Sequence, residues 1–199
     1  MEPLDTGVRY DRIARWWQAQ HQNSSYGIAQ LERAIRFTST KHSALDVGCG
    51  SSGRLIETLA KRGFQPEGLD ISREMIDLAR QLHPEVTFYV EDICCWIPPK
   101  LYSLICAWDS TFHLPLDMQE PVLKKLCNAL EADGVLLFTC GGGHTNGEIS
   151  GSFQGQDFDY STLGVDAFLQ ILTEHHCTCR HLEYDQYPEN HVYIIAQKI

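Results

Sequence analysis

Short, nearly unbroken apolar runs alternate along the chain with segments in which apolar residues recur every three or four positions. The runs Ala44 to Val47, Phe64 to Leu69, Val86 to Val90, Tyr102 to Ala107 and Val135 to Thr139 read as strands. Their lack of alternation fits strands covered on both faces. Between them, Leu55, Ile56 and Leu59 form a helical stripe after a Ser52 cap, and Met75, Ile76, Ala79 and Leu82 form another after Ser72. Val122, Leu123, Leu126 and Leu130 make a third, entered through Pro121 in its first turn and closed near Gly134. Val165, Phe168, Leu169 and Leu172 make a fourth. Repeated βαβ units of this kind predict a doubly wound, mostly parallel α/β sheet.

The last two strand-like runs, Thr178 to Tyr184 and His191 to Gln197, are separated only by DQYPEN. So short a connection allows a hairpin but no parallel crossover, which predicts seven strands with an antiparallel end. Ahead of the first strand, Tyr10, Ile13, Ala14 and Trp17 share one helical face and Ile28, Leu31 and Ile35 another. Residues 1–40 therefore read as an N-terminal helical cap or lid on a domain spanning 41–199. Gly141 to Leu163 shows neither period and reads as a long loop, with Phe153, Phe158 and Tyr160 as walls of a binding pocket.

Composition narrows the class. The 199 residues carry 16 Lys plus Arg against 26 Asp plus Glu, a formal net charge of −10. That balance opposes nucleic acid as a partner, because phosphate binding needs clustered cations. No run reaches the roughly 18 apolar residues of a membrane span, and the N-terminal stretch lacks a secretory pattern, so a cytoplasmic location is expected. Eight cysteines lie mostly inside apolar runs and are expected to be buried thiols. HHCTCRH, at 175–181, has no second ligand pair at metal-binding spacing, so no metal is expected.

Between the first strand and its helix stands LDVGCGSSGRL, with Gly48, Gly50 and Gly53 placed where backbone can approach a ligand closely. The glycines alone leave two cofactors open, a nicotinamide dinucleotide and S-adenosylmethionine. With Asp46 at its acidic position, LDVGCGSSG resembles the loop of the class I S-adenosylmethionine-dependent methyltransferases, small-molecule type, and the resemblance runs from about Ala44 to Thr139. It departs in one respect: Ser52 stands where a third alternate glycine is common. The resemblance implies a Rossmann-like fold, S-adenosylmethionine as cofactor and methyl transfer to an O, N or S atom of a small-molecule acceptor.

On that reading Asp46 meets the donor's ammonium, the loop amides of Gly48, Cys49, Gly50 and Gly53 approach its carboxylate, and Asp70 accepts from the ribose hydroxyls. Ile71 and Met75 contact adenine, Asp92 and the Ile93 amide meet its polar edge, and Cys106, Trp108 and Asp109 lie where the fourth strand reaches the cofactor edge. AWDSTFHLP lacks the Asn/Asp-Pro-Pro motif of many nucleic-acid and protein methyltransferases, which points to a small acceptor. His113 is the candidate base, with His144 behind it and His191 further back. Trp16, Trp17, His21 and Tyr26 are placed to close over the ligands. Two other functions stay open: a protein that binds S-adenosylmethionine without transferring its methyl, and a nicotinamide-dependent oxidoreductase.

Overall fold

The structure, a computed structural model, describes residues 2–199. Its elements follow in the order α1 (Pro3–His21), α2 (Ile28–Ile35), β1 (Ser43–Val47), α3 (Arg54–Lys61), β2 (Gln65–Asp70), α4 (Arg73–Leu82), β3 (Thr87–Val90) and β4 (Tyr102–Ala107). A 3₁₀ turn (Thr111–His113) leads to α5 (Leu116–Asn128), β5 (Leu130–Gly141), β6 (Gly147–Phe153), β7 (Gln156–Thr162), α6 (Val165–Glu174), β8 (Cys177–Glu183) and β9 (His191–Lys198).

Seven strands pair in the order β3-β2-β1-β4-β5-β9-β8. The first five run parallel, and β9 lies antiparallel to both β5 and β8. Strand order reverses between β1 and β4, so a crevice opens beyond their carboxyl ends, the usual ligand position in such sheets. All five residues of β1 and all six of β4 are buried, which explains their unalternated sequences. One face packs α5 and α6 residues such as Leu123, Leu126 and Phe168 against Ile105, Leu136 and Ile194. The other packs Leu31 and Ala34 of α2 with Leu55 and Leu59 of α3 against Leu104, Leu137 and Ile195.

The expected cap thus consists of two helices in different settings. α2 belongs to the core, with Leu31 and Ala34 fully buried. α1 lies against α4, where Ala14 meets Met75 and Leu78, and its Tyr10 and Trp17 pack onto the same cluster.

Three expectations need correction. Ser72 does cap α4, accepting from the Met75 amide at 3.1 Å, but α3 is entered through Gly53 at φ +62°, and Ser52 instead accepts from Arg54. The third helix starts at Leu116 rather than at Pro121, because the turn ahead of the proline is anchored by tertiary bonds. Gln119, 3% exposed, donates to the Thr111 carbonyl and to Ser161 Oγ. It ends at Asn128, well before Gly134, since β5 begins pairing at Leu130, opposite Tyr102.

The segment read as a long loop is largely the β6–β7 hairpin. β6 is exposed at every position and so carries no apolar alternation. Its turn is legible afterwards: Gln154 and Gly155 have φ of +52° and +71°, the left-handed pair of a two-residue hairpin turn. Two of the cysteines, Cys95 and Cys179, are exposed rather than buried, whereas Cys106, Cys127, Cys140 and Cys177 are buried.

Candidate active site

The crevice at the sheet reversal is a cavity of about 1150 Å³ counting its open mouth, on the scale of clefts that bury small ligands. Its floor is the β1–α3 loop. Gly48 holds φ +70°, and a Cβ there would stand 2.2 Å from the Ser110 Cβ, so only glycine lets this loop pass β4. At Gly50, φ +59°, a Cβ would meet only Trp17 Nε1, at 3.6 Å, so the missing side chain leaves space inside the cavity.

The loop is pinned to the end of β2. The amides of Gly48 and Cys49 both donate to the Leu69 carbonyl, at 2.7 and 3.1 Å. Asp70 Oδ2 accepts from the Gly50 amide and Oδ1 from the Ser72 amide, each at 2.9 Å. The amides of 48, 49 and 50, expected to approach a ligand carboxylate, thus have protein partners here, and all three residues line the cavity. Among the described residues the cation that lines the cavity is Arg54, in the first turn of α3, whose Nε donates to the Tyr26 carbonyl and whose Nη1 donates to Ser52.

Burial shapes the acids. It raises Asp46, 2% exposed, to about 7, although the Arg54 charge opposes the shift. It raises Asp70 to about 6 against the pull of the Ser72 and Gly50 amides. Both carboxylates have lost water and stand ready to gain from a ligand that supplies hydrogen-bond donors. Ile71, Met75, Asp92, Ile93 and Trp108 also line the cavity, and Asp92 Oδ1 accepts from the Cys94 amide at 2.8 Å.

His113 lines the cavity too, but both its nitrogens are engaged. Nδ1 donates to the Asp159 carbonyl at 3.1 Å, so Nε2 is the acceptor, and it receives the Tyr10 hydroxyl at 2.8 Å. Burial lowers its pKa to about 4, which keeps the ring neutral. Phe112, Phe158 and Tyr160 pack around it. The last two thus buttress His113 from behind instead of forming the cavity wall, and Phe153 packs on Trp16 and Trp17. His144 is exposed and lies outside the cavity lining.

Sequence reasoning placed Asp109 at the cofactor edge and ranked His191 behind the other histidines, but it did not join them into the network that stands at the end of β4. His191 donates from Nε2 to Asp109 Oδ1 at 2.9 Å and from Nδ1 to Asp185 Oδ1 at 2.6 Å. Burial works against its charge, but these two carboxylates win and raise its pKa. Tyr26 accepts from Gln186 Nε2 at 2.6 Å and hydrogen-bonds Asp109. Asp109 sits at φ +50°, its amide bonded to the buried Thr139 Oγ1 at 2.8 Å, and its side chain faces the cavity. The signal available was its place directly after a strand end, beside Trp108.

Loop, acids and aromatic wall compose the binding crevice of a class I methyltransferase fold. Residues 44–134 match the family model described as a methyltransferase domain. Over 151 residues the chain is 35% identical to malonyl-acyl-carrier-protein O-methyltransferase of Bacillus cereus, a match covering 74% of this chain and 54% of that protein. Over 156 residues it is 28% identical to the ubiquinone biosynthesis O-methyltransferase of Coxiella burnetii, covering 69% and 64%. It is similar in fold to an S-adenosylmethionine-dependent methyltransferase of known structure from Clostridium acetobutylicum, with a TM-score of 0.72 over 97% of each chain at 14% identity. The chain thus carries a methyltransferase domain over residues 44–134, and it spans about half the length of the first curated relatives it matches.

Proposed function

We propose that this protein binds S-adenosylmethionine in the crevice and transfers its methyl group to a small-molecule acceptor. The observation that carries the reading is the convergence of Asp46, Gly50, Asp70 and Asp92 on one cavity. The cavity fits that ligand. It has glycine-made space at residue 50, two desolvated carboxylates, a guanidinium, and buried polar atoms without hydrogen-bond partners at Ser110 Oγ, Trp108 Nε1 and His21 Nε2.

Asp46 holds the donor's ammonium, Arg54 its carboxylate and Asp70 its ribose hydroxyls, while Ile71, Met75, Asp92 and Ile93 hold adenine. When bound, the donor supplies an electrophilic methyl, so the protein's work is positioning. His113 fixes the Tyr10 side chain at the cavity by accepting its hydroxyl's hydrogen bond, a positioning role that its two engaged nitrogens fit better than proton removal. α1 serves as the lid, and together with the β6–β7 hairpin it closes the cavity: Arg9 bonds the Asp157 carbonyl and Arg12 donates to Gln156.

Among the described residues no helix is long and apolar enough to cross a membrane. The net charge of −10 counts against nucleic acid as a partner, and the location we propose is cytoplasmic. The test is incubation with methyl-labelled S-adenosylmethionine and a deproteinised metabolite extract. Label entering the small-molecule fraction supports transfer. Donor binding with no transfer to any fraction would leave a binding protein.

A further inference from the structure

The methyltransferase reading leaves the acceptor open, and the charges around the cavity narrow it. Five carboxyl residues line it, Asp46, Asp70, Glu91, Asp92 and Asp109, against one guanidinium, Arg54. On the donor assignment above, Arg54 is taken by the donor's own carboxylate. The two histidines in the lining add no positive charge. His113 is held neutral by burial, and burial together with the Arg54 charge lowers His21. An anionic acceptor would therefore enter without a counter-charge among the described lining residues, a costly arrangement in a partly dry site.

Asp109 has the opposite character. Its side chain is 26% exposed, and the residue lines the cavity. The backbone holds a left-handed conformation that non-glycine residues seldom adopt, fixed by the Thr139 hydroxyl. Two carboxyl groups, those of Asp109 and Asp185, share the single imidazole of His191. The rings of Trp108 and Tyr26 stand beside it, their centroids 5.5 Å apart. Rings next to a fixed carboxylate are the chemistry that recognises an alkylammonium group. His21 Nε2, also among the lining residues, is buried and without a hydrogen-bond partner among the described residues. The net charge of −10 draws cations toward the molecule.

We infer that, within the methyl-transfer reading, the acceptor is an amine whose nitrogen is bound by Asp109 beside Tyr26 and Trp108. The free amine's lone pair forms the new C–N bond as the methyl C–S bond breaks, and that bond's electron pair stays on sulfur. The positive charge moves to nitrogen, giving an alkylammonium product that Asp109 stabilises as it forms. The amine releases its own proton to water before attack and no base is required. Asp109 thereby acts as electrostatic stabiliser and specificity residue.

The test uses two matched probe sets, 2-phenylethylamine, 2-phenylethanol and 3-phenylpropanoate, and n-butylamine, butan-1-ol and butyrate. Each is titrated calorimetrically into the full chain saturated with S-adenosylhomocysteine. The expected result is that the amine of at least one set binds tenfold or more tightly than its alcohol and carboxylate. Asp109→Asn should remove that preference while S-adenosylhomocysteine affinity stays within threefold. Should the variant fail to fold, the ranking on the unaltered protein decides. Tighter binding of a carboxylate, absence of amine binding, or an amine preference that survives in Asp109→Asn would overturn the inference and leave donor binding standing. Failure of S-adenosylhomocysteine itself to bind would overturn both readings.

Discussion

The Tyr10 hydroxyl donates to His113 Nε2 across 2.8 Å and ties the lid helix α1 to the turn after β4. The Asp159 carbonyl takes the other ring nitrogen's proton, so this bond has one direction. Tyr10→Phe leaves a buried acceptor unpaired and should cost about 1–3 kcal/mol in denaturant unfolding. His113→Asn should lower turnover roughly 10- to 100-fold, as a misplaced positioning group does, with donor affinity unchanged. Losses in the double variant that equal the sum of the singles would show that the two residues do not act as a pair.

Asp70 joins the pinned loop to the start of α4 and faces the cavity at 8% exposure. Asp70→Ala should weaken S-adenosylhomocysteine binding by roughly 2–4 kcal/mol, the worth of hydrogen bonds to a charged acceptor together with the donors left unmatched. A folded variant that binds like the parent would reduce Asp70 to a strand terminator.

The raised carboxylates set a pH dependence. Asp46 at about 7 and Asp70 at about 6 are protonated in the unliganded protein below those values, while the donor pairs with their ionised forms. Donor affinity should therefore fall as pH drops from about 7.5 to 5, with protons released on binding near pH 6.5. Calorimetry in two buffers of different ionisation enthalpy reads this directly. Stability runs the other way. A carboxyl whose folded pKa lies above its unfolded value contributes stability at low pH that is lost as pH rises through the folded pKa. Asp46→Asn should thus raise the unliganded Tm at pH 8, by roughly 2–4 kcal/mol in stability, and change it little at pH 4.

The sheet was legible because strands buried on both faces and amphipathic helices are written locally. Ala44 to Val47 and the Ser72 cap need no distant partner to be recognised. The β6–β7 hairpin was not, because all of β6 is exposed and its pairing leaves no apolar alternation. The start of α5 was hidden for another reason, since Gln119 is held by Thr111 and Ser161, 8 and 42 positions away. Asp46, Asp70 and Asp92 could be read from their places at strand ends. Asp109 could not be given its network, which depends on His191 coming from 82 residues along the chain.

The two N-terminal helices should respond differently to ligand. Pro3, Thr6, Tyr10, Trp17 and His21 of α1 line the cavity, whereas Leu31 and Ala34 of α2 are fully buried against the sheet. Saturation with S-adenosylhomocysteine should slow hydrogen exchange across α1 and the facing β6–β7 hairpin and leave α2 unchanged. Equal protection of both helices, or of neither, would contradict a lid made of α1.

A crevice built for S-adenosylmethionine is tested most directly by calorimetric titration of the purified protein with S-adenosylhomocysteine and, separately, with NAD. The expected result is one S-adenosylhomocysteine site per chain, abolished or strongly weakened in Asp70→Ala, and far weaker binding of the dinucleotide. Tighter binding of NAD, or S-adenosylhomocysteine binding indifferent to Asp70, would contradict it.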